Sequence, residues 1–314
     1  MADINIGEIA TTTLRNRSGE LSDNILNHNA LSARLLMKGN VKSVNGGREI
    51  IQELEYAENG TASWYAGYET LDITPQDVFD AATFDWKQLA GNVTISGLEE
   101  MKNSGRERAI NLISSRIRNL EKTLKNRLAT AVYADGTTDT KSLGGLQYLI
   151  QDDPTSSSSV GGINQSTYDF WQNQYSASAA TSADNVGTRM NAMWLTLIRG
   201  TDKPDFIVAD STEYNFYEAS LQQYQRFADG KSAQKGFESL KYKSADFFYD
   251  DQCVSKRIYF VNTDYIFLRP HTARQFVPLE ERQSINQDAM VQPVVWGGNI
   301  TCSNRSLQGV IIDD

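Results

Sequence analysis

A chain of 314 residues, 40% hydrophobic and 22% charged, has the composition of a folded globular protein and is long enough for one large domain or two ordinary ones. Its formal net charge of -9 argues against a tight electrostatic grip on nucleic acid, because each phosphate contact needs a Lys or Arg. No apolar run reaches the roughly 20 residues that cross a bilayer, the first residues lack a signal-peptide pattern, and Cys253 with Cys302 cannot build a disulfide framework. A cytoplasmic origin, no membrane contact and a reduced cysteine pair are therefore expected.

Residues 1–45 read as an arm with little periodicity, within which "SDNILNHNALSARLLMKGN" predicts a short helix stopped by Gly39. Such an arm is ordered only if it lies on its own core or on a neighbouring subunit. Residues 46–73, "GGREIIQELEYAENGTASWYAGYETLDI", alternate like two strands around Asn59-Gly60, a pair suited to the positive φ angles of a tight hairpin. Ile50, Leu54 and Tyr56 share one face of the first run, with Glu49, Glu53 and Glu55 opposite and Ile51 out of pattern. Trp64, Ala66, Tyr68 and Thr70 share one face of the second. A two-stranded ribbon is marginal alone in water, so its aromatic face needs a surface to lie on, and another chain is a candidate.

"DVFDAATFDWKQLAGNVTIS" predicts strands that bury Val78, Phe84, Trp86 and Leu89. A capping box follows, Ser96 with Glu99, and behind it Leu98, Met101, Ala109, Ile113, Ile117, Leu120, Leu124, Leu128 and Val132 form an apolar stripe at three- and four-residue steps. Glu121 and Lys125 stand at the favourable i, i+4 spacing. One helix over residues 96–134 would be about 57 Å long. That exceeds the roughly 50 Å diameter of a compact chain of this size, so the helix is expected to be the spine of a flat or elongated subunit; a break at Gly105 or a coiled-coil dimer helix is the alternative.

The Ser and Gly tract at 155–162 reads as a mobile surface loop. "TRMNAMWLTLIRG" predicts a helix with Met190, Met193, Trp194 and Leu197 inward, and "PDFIVAD" a buried strand. Asp210 and Glu213 then repeat the capping-box spacing. "ADFFYDD", "RIYFVNT", "YIFLRP" and the run through "WGGNITCSNRSLQGVIID" make the remainder β-rich, so the fold class is α+β.

Catalytic motifs fail on inspection. Gly230-Lys231-Ser232 ends like a phosphate-binding loop, but Gln225 occupies the place of the first glycine. Ser232 and Lys235 have a Ser-x-x-Lys spacing, yet no Lys-Thr-Gly follows, and Ser22-Asp23-Asn24 comes in the wrong order. His28 and His271 lack metal-ligand spacing to cysteines or carboxylates. The doublets Asp152-Asp153, Asp250-Asp251 and Glu280-Glu281 suit solvated turns, with a structural cation as the alternative. No enzyme, cofactor or metal is expected.

The order of parts and the segments "RSGELSDNILNHNALSARLLMKGNVKSVNGGREIIQELEY", "GGLQYLIQDDP", and "GFESLKYKSADFFYDDQC" through "YIFLRPH" to "WGGNITCSNRSLQGVI" resemble the major capsid proteins of tailed bacteriophages, the Hong Kong 97 fold. The resemblance implies an N-terminal arm (1–45), an extended loop (46–75), a peripheral domain with the spine helix (76–140), an axial domain (141–250) and a β-rich return to the peripheral domain (251–314). It implies self-assembly through hexamers and pentamers into a virion shell made in the host cytoplasm, enclosing double-stranded DNA without strong specific binding. A separate scaffolding protein, a portal and a decoration protein are the implied partners. Inter-subunit contact falls to the loop residues Ile50, Leu54, Tyr56, Asn59, Gly60, Trp64 and Tyr68, and the spine core to Leu98, Ile113, Ile117, Leu120, Leu124 and Leu128. The type member welds its shell through a loop lysine, and residues 46–73 contain none, so that weld is not expected from this loop. An encapsulin-type shell housing cargo enzymes is the alternative.

Overall fold

The computed structural model describes residues 29–102, 106–177, 180–222, 239–280, 282–283 and 286–313. Helix α1 (Ala30–Lys38) begins at Asn29, whose Oδ1 accepts the amides of Leu31 and Ser32, and ends at Gly39 in the left-handed conformation. Its apolar side buries Ala30, Leu31, Ala33 and Leu35. The following residues run parallel to strand β11 (Ile266–Pro270), with Val41 and Val44 bridging Leu268 and His271. From residue 29 onward, then, the arm is ordered by its own subunit; residues 1–28, including His28, lie outside the described part.

Two sheets carry the rest. In the first, the 14-residue strand β14 (Ala289–Cys302) pairs antiparallel with β3 (Lys87–Ser96) on one side. On its other side it pairs with β11, β12 (Val277–Pro278) and β13 (Arg282–Gln283) in turn. The expected spine appears as α2 (Gly97–Lys102) and α3 (Arg106–Tyr133), with residues 103–105 and the expected break point Gly105 outside the description. The capping box at its start is made as predicted: Glu99 N–H donates to Ser96 Oγ at 3.3 Å, and Ser96 N–H to Glu99 Oε2 at 3.2 Å. Ile117, Leu120, Leu124, Leu128 and Val132 are buried along one side of α3, and Glu121 pairs with Lys125 at 3.5 Å.

The second sheet runs β6 (Gln174–Ser176), β15 (Gly309–Ile312), β10 (Arg257–Val261), β7 (Phe206–Ala209), β9 (Ala245–Tyr249) and β8 (Ser239–Tyr242) in spatial order. Because β10 and β15 belong here, the C-terminal stretch 251–314 divides between the two sheets. Every residue of β7 is buried because both faces of this sheet are covered. Phe206 and Val208 point into one core with α1 and α3, while Ile207 and Ala209 point into a second with α5 (Val186–Leu197). Helix α6 (Ser211–Gln222) adds Tyr217 to the second core.

The Ser and Gly tract is built structure, which corrects the expected mobile loop. Strands β4 (Ser159–Val160) and β5 (Ile163–Asn164) form a hairpin whose two central residues, Gly161 and Gly162, both have positive φ, 62° and 80°. Val160 is fully buried, Trp171 Nε1 donates to its carbonyl at 2.8 Å, and the buried Gln165 amide donates to Ser158 Oγ at 2.7 Å and Ser156 Oγ at 3.1 Å. Serines that look solvated in sequence here satisfy a buried amide.

The helix α4 (Leu146–Leu149) docks through Gly145, where a Cβ would stand 2.3 Å from the Val132 carbonyl oxygen and 2.5 Å from that of Ala131. Gly145→Ala is expected to push α4 off the end of α3 and cost about 1–3 kcal/mol, read as a lower urea midpoint at unchanged slope. One carboxylate ties three parts together. Asp250, at the end of β9, accepts the Asn29 amide at 2.8 Å, the Tyr133 hydroxyl at 2.9 Å and the Gln252 N–H at 3.0 Å.

Candidate assembly interface

Strand β1 (Ile50–Glu55) has the predicted alternation, with Ile50, Gln52 and Leu54 inward and Ile51, Glu53 and Glu55 outward. Its partner, however, is β2 (Phe79–Phe84), with Ile50 opposite Phe84 and Glu55 opposite Phe79. The expected return run at Trp64 to Thr70 is not a strand. The reason is burial: pairing with β2 sets Ala82 and Phe84 beside Ile50 and Gln52 on the core, whereas the aromatic run has no core to reach. Asn59 and Gly60 also lack the expected positive φ. Asn59 instead makes an Asx turn, its Oδ1 accepting Thr61 N–H at 3.0 Å and Thr61 Oγ1 at 2.7 Å.

The ribbon gains one more rung where Tyr56 N–H donates to the Val78 carbonyl at 3.1 Å, and the Tyr56 ring stacks on Phe170 with centroids 4.9 Å apart. Beyond this clasp, residues 57–77 leave the body, and all but Thr61 are exposed. Their side chains include Trp64, Tyr68 and Ile73 at 103%, 107% and 91% of full exposure, with Tyr65 and Leu71 more than half exposed. Within the loop the bonds are local, such as Glu69 N–H to the Ala66 carbonyl at 2.9 Å and Thr74 N–H to Asp72 Oδ1 at 2.9 Å, and its base is closed by the Tyr56 hydroxyl donating to the Asp77 carbonyl at 2.7 Å. An isolated exposed aromatic is ordinary; five large apolar side chains on one protruding segment mark a contact surface.

The structure therefore divides the expected contact residues. Asn59, Gly60, Trp64 and Tyr68 are on the protruding loop and free to meet another chain. Ile50 and Leu54, 1% and 2% exposed, are spent on the subunit's own core and are corrected from contact residues to the root of the loop, while Tyr56 is half-buried with its ring stacked on Phe170. Tyr65, Leu71 and Ile73 were missed because a strand reading put them out of phase, although their size alone was a signal. Of the spine set, Ile117, Leu120, Leu124 and Leu128 are core, Leu98 is 58% exposed at the first turn of α2, and the Ile113 side chain lies outside the description.

Among the described residues, no cluster of His, Cys, Asp or Glu could hold a metal ion. His271 Nδ1 accepts the Ala273 amide, and the imidazole packs edge-on to Trp86 at 5.4 Å. Cys253 and Cys302 are free and buried, and burial raises the Cys302 thiol to about 12, far from a reactive thiolate. Asp152 takes both Nε contacts of Arg257, at 2.9 and 3.0 Å, and Asp153 holds a Thr155 turn. The Gly230-Lys231-Ser232, Ser232/Lys235 and Glu281 positions lie outside the description.

Only half of the second capping box forms. Asp210 Oδ1 accepts Glu213 N–H at 3.1 Å, but the Glu213 carboxylate, 1% exposed, does not reach back to the Asp210 amide and is turned inward towards Thr181, Arg189 and Asp313. Burial first, then the charge of Asp313, raises its pKa from 4.5 to about 7. Folding thus takes up a proton at this site, so its contribution to stability is complete below about pH 4.5 and is lost as pH rises through about 7. Thermal unfolding at about pH 5 and about pH 8 is expected to show the wild type losing stability at the higher pH, with Glu213→Gln flattening that loss.

No family model and no curated protein sequence matches the chain. Solved structures do. The capsid of cyanophage A-1(L) superposes with a TM-score of 0.68 at 12% identity, over 88% of this chain and 92% of that one. The chain has the Hong Kong 97 fold. The capsid of a native GTA particle agrees with a TM-score of 0.59 at 11% identity, covering 88% and 89% of the two chains. The holo-SrpI encapsulin complex from Synechococcus elongatus PCC 7942 shares the Hong Kong 97 fold at a TM-score of 0.55 and 9% identity, over 90% and 88%. At such identities the likeness is one of backbone path.

Proposed function

We propose that this protein is the major capsid protein of a tailed bacteriophage, assembling through hexamers and pentamers into an icosahedral head that encloses the double-stranded DNA genome. The observation that carries this reading is the loop 57–77, whose aromatic and aliphatic side chains have no partner surface within the described part of their own subunit. Burial on a second copy would stabilise the contact by about 1.5–3 kcal/mol for each large side chain covered. A contact between different patches of identical subunits repeats around a ring and closes into a shell when its rotation closes. Residues 46–84 contain no lysine, so a lysine-based weld has no donor in the ribbon and the grip is non-covalent there.

In this reading the second sheet with α5 and α6 is the axial domain, and the first sheet with α3 is the peripheral domain. A scaffolding protein, a portal and a decoration protein are the partners, and assembly takes place in the host cytoplasm before the subunits become part of the virion. The role is structural, without catalysis, in keeping with the capsid structures that share the fold. The encapsulin match supports a second reading, a cellular compartment shell that holds cargo proteins. Negative-stain microscopy of the purified protein is expected to show closed particles hundreds of ångströms across, and a uniform small monomer at high concentration would refute both readings. Nuclease-protected DNA inside native particles separates the capsid from the compartment.

A further inference from the structure

Helix α3 departs from the acidic character of the chain. Between Ser115 and Thr130 its outward positions hold no Asp or Glu, and they present the exposed cations Arg118, Lys122 and Arg127 among Asn119, Thr123 and Asn126. The acid in this stretch, Glu121, faces inward and is paired with Lys125. Strand β3 beside it also lacks acids, and the two elements border an open groove of about 460 Å³ whose polar lining is Asn92, Thr94, Arg116, Asn119 and Thr123. After Glu121 the next acid in the chain is Asp135, past the end of the helix, and Arg116 in the groove is ion-paired with Glu99 of α2.

Two polyanions could meet this face: the acidic ribbon of another copy, or a nucleic-acid backbone. The ribbon loop is half apolar and needs apolar ground for Trp64, Tyr68 and Ile73, whereas the outward positions of α3 from Ser115 to Thr130 offer no exposed apolar side chain. Lys, Arg, Asn and Thr without apolar neighbours are the side chains that hold phosphate and sugar oxygens and read no sequence. We propose that the outward face of α3, with the adjoining edge of β3, is the surface on which the shell wall meets the phosphodiester backbone of its packaged duplex. This rests on the capsid reading above. Three cations per subunit make each contact weak and sequence-independent, so the wall touches DNA at many points without fixing it at any.

The test uses full-length subunits kept unassembled and a fluorescent random-sequence duplex, with binding followed by anisotropy as salt is raised. Three phosphate contacts predict a slope of log K on log salt of about -2.7, hence about a 40-fold loss of affinity between about 50 and 200 mM. The variant Arg118→Gln/Lys122→Gln/Arg127→Gln is expected to lose nearly all of that slope while keeping the wild-type melting temperature, and Arg118→Lys/Arg127→Lys to retain it. A wild-type slope in the Gln variant, or displacement of the duplex by polyglutamate at equal charge concentration, overturns the proposal. Shells that still form from the Gln variant, seen by negative stain, keep such a failure separate from the capsid reading.

Discussion

Replacing Trp64, Tyr68 and Ile73 together by Ser is expected to leave a folded, soluble subunit that no longer forms shells. All three side chains are over 90% exposed in the subunit, so their removal changes its own stability by no more than about 0.5 kcal/mol. In an assembled particle the same three would be covered, and at about 1.5–3 kcal/mol each their loss removes several kcal/mol from every copy of the contact. Because the contact recurs at each subunit, assembly should fail steeply instead of weakening gradually. Sedimentation velocity and circular dichroism check the two halves: particles absent, fold and melting temperature unchanged. Deleting residues 59–65 should act the same way, and normal shells from either variant would refute an interlocking loop.

Arg305→Ala is expected to have the opposite signature, a damaged subunit. This guanidinium is fully buried between β14 and β15, donating to the carbonyls of Leu149 at 2.6 Å and Trp171 at 2.8 Å, and to Gln165 Oε1 and Asn173 Oδ1 at 3.0 Å. It also lies over the Trp171 ring at 5.6 Å. None of those acceptors is a carboxylate, and burial lowers its pKa to about 10, which still leaves it charged at neutral pH. Truncation orphans buried oxygens on Leu149, Gln165 and Trp171, while Asn173 Oδ1 still accepts the Gln151 amide, at about 1–3 kcal/mol for each one left unsatisfied, so a net loss of at least about 3 kcal/mol is expected. Arg305→Lys should recover only part, since one ammonium cannot reproduce the planar fork. Urea unfolding of unassembled subunits measures both.

These two sites also show what could be read in the sequence and what could not. The elements whose partners are local were legible: the short helix stopped by Gly39 follows from its terminal glycine, and the Ser96/Glu99 box and the inward stripe of α5 follow from spacing. The all-apolar Phe206–Ala209 marked a strand covered on both faces. Pairing was not legible, because alternation in residues 62–70 looks the same whether or not a partner strand exists. The choice of Phe79–Phe84 was made by a core that only the fold creates. Arg305 gave no sign at all, since its four partners come from positions 132 to 156 residues away. Glu213 was misread for a related reason: the capping-box spacing was present, but the side chain was drawn inward beside Asp313.

In the proposed shell, a ribbon with no lysine would grip by contacts that can be let go. During growth of a closed surface, a subunit added at the wrong angle can detach before its neighbours trap it, so errors in curvature are repaired by exchange. The durability of the finished particle then comes from the number of such grips acting at once, and dilute denaturant should disassemble it into intact, reusable subunits.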